Sequence, residues 1–101
     1  MQYRFIHDQR LGISLPQLET EWENYSPACQ DVILEKWEEI RGKIPERIQE
    51  IENTINKKQA MLDKEEDFET SCRLNLEIAE LASLINDLWI WYRTTQHITL
   101  N

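Results

Sequence analysis

The chain has 101 residues, 41% of them hydrophobic, which is enough for one modest core and a single domain. Nineteen Asp and Glu against eleven Lys and Arg leave a formal net charge of -8, which opposes binding to nucleic-acid phosphates or an anionic membrane surface. The longest apolar run, Leu88 to Tyr92, is five residues, and the first eight lack the apolar segment and cleavage site of a secretion signal, so a cytoplasmic protein is expected.

Residues 1–13 read as an extended arm, with Tyr3 and Phe5 on one side, Arg4 and Ile6 on the other, and a turn around Asp8 to Gly12. No second convincing strand is apparent, so the arm is expected to lie across helices or to pair with its copy in another chain. Ser14 then has the form of a helix cap, with Gln17 completing a capping box, Ile13 closing on Leu18 as a staple, and Pro16 tolerated in the first turn. Leu15, Leu18, Trp22 and Tyr25 would form the apolar face of a short helix over about 15–25. Ser26-Pro27 restarts a second helix over about 27–41, which turns Cys29, Val32, Ile33, Trp37 and Ile40 inward. Gly42 is expected to supply a left-handed stop and a sharp change of direction, with Pro45 in the first turn of the next helix.

The back half carries two apolar stripes. Ile44, Ile48, Ile51, Ile55 and Leu62 share one helical face, and Leu74, Ile78, Leu81, Ile85, Leu88 and Tyr92 another, in an unbroken four and three rhythm. Between them Asp63 to Ser71 is polar and acidic, where a turn is expected. The fold predicted is therefore all-α: a long antiparallel helical hairpin over about 44–63 and 70–97, packed with two shorter helices over about 15–25 and 27–41. All 101 residues would form one domain, with 1–13 as an arm, 14–43 as the short helices and 44–101 as the hairpin. The Trp residues would make the main core, leaving Ile90 outside it.

The stripe from Ile44 to Ile55 is narrow, the seam of a two-helix contact, so the acidic end should be a slender projection that buries little area alone. A non-enzymatic adaptor or regulatory module follows, acting through protein–protein contact and pairing with itself as a homodimer. Ile55, Met61, Leu62, Phe68, Leu74 and Ile90 are its expected contact residues, and neither nucleic acid nor membrane is an expected partner. No catalytic or cofactor-binding residue and no cofactor are expected. Cys29 and Cys72 lack metal-ligand spacing, neither His7 nor His97 has a second histidine or a carboxylate at ligand spacing on a shared helix, and two glycines cannot build a phosphate loop.

Two alternatives rest on the carboxylates. Glu65-Glu66-Asp67-Phe68-Glu69 has the form E-E-x-x-E, and Glu77 and Glu80 add E-x-x-E. In form this resembles the acidic motifs of the all-α nucleotide pyrophosphohydrolases of the MazG type. That resemblance implies magnesium-dependent hydrolysis with Glu66, Glu69, Glu77 and Glu80 as metal ligands, although the second motif ends in Glu where that family's ends in Asp. Alternatively, the acidic surface would mimic nucleic acid and occupy a basic nucleic-acid-binding protein.

Overall fold

A computed structural model of the chain describes residues 2–94, and His97 lies outside them. The elements are two strands, β1 (Tyr3–Asp8) and β2 (Ile13–Leu18), a 3-10 turn (Trp22–Asn24), and helices α1 (Pro27–Arg41), α2 (Ile44–Lys64) and α3 (Phe68–Tyr92). The architecture is mixed rather than all-α. In place of a helical hairpin with two short helices there is a two-stranded antiparallel sheet, one long bent helix from Pro27 to Lys64, and one further helix.

The expected helix over 15–25 is β2 followed by the 3-10 turn, and the lone arm over 1–13 is β1 of a β-hairpin. The strands pair from Tyr3 opposite Leu18 to Asp8 opposite Ile13. Asp8 closes the turn, its Oδ1 accepting from Leu11 N at 2.8 Å and its carbonyl from Gly12 N at 2.8 Å. Gly12 takes φ +75°, the left-handed conformation that such a turn requires. The capping box at Ser14 loses because an isolated helix of about eleven residues is marginal in water. The hairpin, by contrast, buries Leu11 and Ile13 and packs Tyr3, Phe5, Leu15 and Leu18 against the core. Pro16 sits opposite Phe5 with no amide hydrogen to give to a ladder, which blunts β2 for further pairing. The Tyr25 hydroxyl ties off the open end, donating to the Gln2 carbonyl at 2.7 Å and accepting from Glu19 N at 3.0 Å.

Ser26 caps α1, its Oγ accepting from Cys29 N at 3.2 Å. The sharp stop expected at Gly42 does not form. Gly42 (φ -63°, ψ -19°) and Lys43 (φ -93°, ψ -7°) both stay right-handed, and Gly42 N still donates to the Glu38 carbonyl at 2.9 Å. Pro45 cannot donate the next helical hydrogen bond, so the helix bends there without reversing.

After Lys64 the chain turns through 65–67. Asp67 caps α3, its Oδ2 accepting from Thr70 N at 2.9 Å and from the Thr70 hydroxyl at 2.7 Å. The α3 helix returns along α2, and Lys58 Nζ on α2 reaches Glu77 Oε1 on α3 at 3.0 Å. The core lies at the other end. Ile33, Trp37, Ile44 and Leu88 are fully enclosed, with Trp22, Tyr25, Ile48, Ile51 and Leu84 around them. Each such side chain contributes about 1.5–3 kcal/mol on burial. Trp91 meets Trp37 edge to face at 5.8 Å, and Arg41 lies over the Tyr92 ring while donating to the Tyr92 carbonyl at 3.2 Å. Glu38, 2.8 Å from Arg41, raises the guanidinium pKa above its ordinary value. The result is a body 60 × 20 × 19 Å, with the β-hairpin and α1 gathered toward one end and only α2 and α3 running on to the turn at Glu66.

Candidate interaction surface

The expected contact residues do not form one face. Leu74 is buried, Ile55 and Leu62 are half-buried, and Met61 is 55% exposed. At about 100° per residue Met61 stands on the flank of α2, about 100° from its seam, while Phe68 and Ile90 lie on the outer side of α3. The carboxylates are spread out as well. Glu77 is held by Lys58 at 3.0 Å and faces Arg73 at 3.9 Å. Glu69 and Glu80 are separated by about three helical turns. No group of three His, Cys, Asp or Glu among the described residues is placed to hold a metal ion. Hydrogen bonds from Thr70, its hydroxyl first and its amide second, lower the Asp67 pKa below the ordinary carboxylate value.

Two of the grooves among the described residues run from the β-hairpin onto the helices. One is lined by His7, Ser14, Glu39, Lys43, Glu46 and Arg47, and there Arg47 Nε donates to the Leu11 carbonyl at 3.2 Å. The other lies between α2 and α3 beside Arg10, which pairs with Asp87 at 2.8 Å, and Lys58, which pairs with Glu77. Both mix charges of either sign, and the pairs named join elements of this chain to one another, so neither groove presents a set of groups converging on one ligand.

The outer side of α3 is different. The seam toward α2 is Leu74, Ile78, Leu81, Ile85, Leu88 and Tyr92. A second seam with the same spacing, Cys72, Leu76, Ala79, Ser83, Asn86 and Ile90, is offset from it by two residues, about 200° around the helix. Every member of the first is buried or half-buried, and every member of the second is exposed. Phe68 is 79% exposed and Leu76 61%, with Ile90 and Trp89 also exposed. Between Phe68 and Ile90 a sector roughly 140° wide, at about 100° per residue, holds no charged side chain. Glu69, Arg73, Glu77, Glu80 and Asp87 all lie on the other flank of α3. In a chain of net charge -8 this absence is the most distinctive feature of the surface.

No known family, curated protein or solved structure matches the chain.

The stripe widths in the sequence point to a contact near the acidic tip that includes Phe68 and Ile90 but not the residues that join them. The signal was available: shifting the α3 template by two positions gives the second seam. It passes unnoticed because Ala79, Ser83 and Asn86 carry little hydrophobic weight. Among the described residues no helix is long and apolar enough to cross a membrane.

Proposed function

We propose that the chain is a cytoplasmic, non-enzymatic adaptor or regulatory module that works by helix-to-helix protein contact, with the outer face of α3 as its binding surface and a second copy of the chain as its partner. The observation that carries this reading is the charge-free exposed seam from Cys72 to Ile90. A solvated helix face in an acidic protein ordinarily carries charge. A contact face has reason to lack it, because every charge buried at an interface must be desolvated. The buried seam already serves α2, so the second seam is available for a separate helix.

Sedimentation tests the reading. The wild-type chain, 12.2 kDa, is expected to approach twice that mass as its concentration rises through the micromolar range. Leu76→Asp, on an exposed position that folding does not use, is expected to leave the circular-dichroism spectrum intact and to weaken association at least about tenfold by burying an unpaired carboxylate. Met61→Asp, on an exposed flank of α2, is expected to change it little. A wild-type chain that stays monomeric throughout, or a Met61 variant weakened as much as the Leu76 variant, contradicts the assignment.

A further inference from the structure

We infer that the second copy binds antiparallel, α3 against α3, with the two-fold axis passing close to Ala79, Ala82 and Ser83. This rests on the reading just given and specifies its geometry.

The outer face of α3 is graded along its length. Its middle is small, with Ala79, Ala82 and Ser83, while bulk sits at both ends, with Phe68 and Leu76 toward the acidic tip and Trp89 and Ile90 toward the core. An antiparallel copy centred on the small residues puts Ala79 opposite the second copy's Ser83, Leu76 opposite its Asn86, and Cys72 opposite its Ile90. Small residues at the crossing let the two backbones approach closely, which lets the bulkier ends reach one another. Each layer then joins positions from opposite sides of the heptad, as antiparallel helix pairs require.

Charge selects the direction. In the antiparallel register Glu69, in the first turn of α3, and the second copy's Arg93, the C-cap of its α3, share one end of the pair, so that unlike charges sit together at both ends. Both side chains lie on exposed residues. A parallel, in-register pair would instead place Glu69 beside Glu69 and Arg93 beside Arg93, at a cost on both ends. Shape agrees with charge: the broad end of each 60 Å body lies at the C-terminal end of α3, so an antiparallel pair sets each broad end beside the other copy's slender arm. A parallel pair would crowd both β-hairpins at one end. One helix on one helix over about 30 Å falls in the small-interface class, below about 1,200 Å², so micromolar association is expected.

The native thiol at Cys72 reads the register. In a Cys29→Ser background, Ile90→Cys adds a thiol that the antiparallel register brings opposite Cys72 of the other copy. Within one chain the two positions are about 27 Å apart along α3, so they cannot bridge intramolecularly. Mild copper-catalysed oxidation at about 100 µM, a concentration where a small interface is populated, is expected to give a covalent dimer from the double variant. The Cys29→Ser parent, whose Cys72 faces an Ile, is expected to give none. Covalent dimer from the parent reveals Cys72 beside Cys72 and overturns the antiparallel register. A non-covalent dimer by sedimentation that fails to cross-link through position 90 overturns it as well. A monomer by sedimentation removes the reading beneath it instead.

Discussion

Three residues carry separable loads. Gly12 holds φ +75°, and a Cβ there would come within 2.8 Å of Arg47 Nε, the atom that donates to the Leu11 carbonyl. Gly12→Ala is therefore expected to cost about 1–2 kcal/mol through the left-handed backbone, read as a lower urea midpoint; the Arg47 side chain can swing aside. Trp37 is fully enclosed, yet its indole N–H has no acceptor among the described residues. Leaving that donor unmade costs on the order of 1–3 kcal/mol, so Trp37→Phe is expected to stay within about 1 kcal/mol of wild type, because relief offsets lost volume. Trp37→Ala, which only opens a cavity, is expected to lose about 3–5 kcal/mol in the same urea titration. Asp67 sets a pH dependence. Its folded pKa is lowered by Thr70, so its contribution is fully present above the unfolded carboxylate value and is lost as pH falls through the folded value. Removing the cap with Asp67→Ala is expected to lower the melting temperature at pH 7 and to leave a smaller difference from wild type near pH 2.

At the level of elements, the helices and strands were unequally legible. The rhythm of α3, the serine before α1 and the proline that opens it are strong local signals, and they act through backbone groups that a neighbour does not alter. The stretch from Ser14 to Tyr25 is another matter. Its cap-like Ser14 and Gln17 and its spaced Leu15, Leu18, Trp22 and Tyr25 favour a helix locally. The β-hairpin prevails because Leu11 and Ile13 join one buried core with residues far along the chain, Leu84 and Ile48 among its members. Nothing within a short window carries that information. Gly42 misled for a related reason, since glycine permits a left-handed stop without requiring one, and here Pro45 sets a bend instead. The outer seam of α3 was hidden by composition, as Ala and Ser read as neutral wherever they fall. If that seam is a contact, Ala79→Glu is expected to abolish association as Leu76→Asp does. Ala60→Glu, on an exposed position of α2, is expected to leave it unchanged, both by sedimentation.

For the whole molecule, net charge separates pairing with itself from capture of something basic. Two copies at -8 each repel, with Glu80 of both copies flanking the proposed axis, so self-association is expected to strengthen several-fold as salt is raised from about 0.05 to about 0.5 M. Capture of a basic protein by an acidic mimic would weaken over the same range. The slender end, with Met61 exposed on α2 and the Glu66 turn at its tip, need not be covered to satisfy the outer face of α3. Hydrogen exchange at two concentrations, about 5 and about 500 µM, addresses that face most directly. Amide protection that rises with concentration across 68–92, and stays level in the β-hairpin and around Met61, is the expected result. A rise centred on β1 or on the Met61 segment, or no rise anywhere, would contradict the assignment of the α3 face.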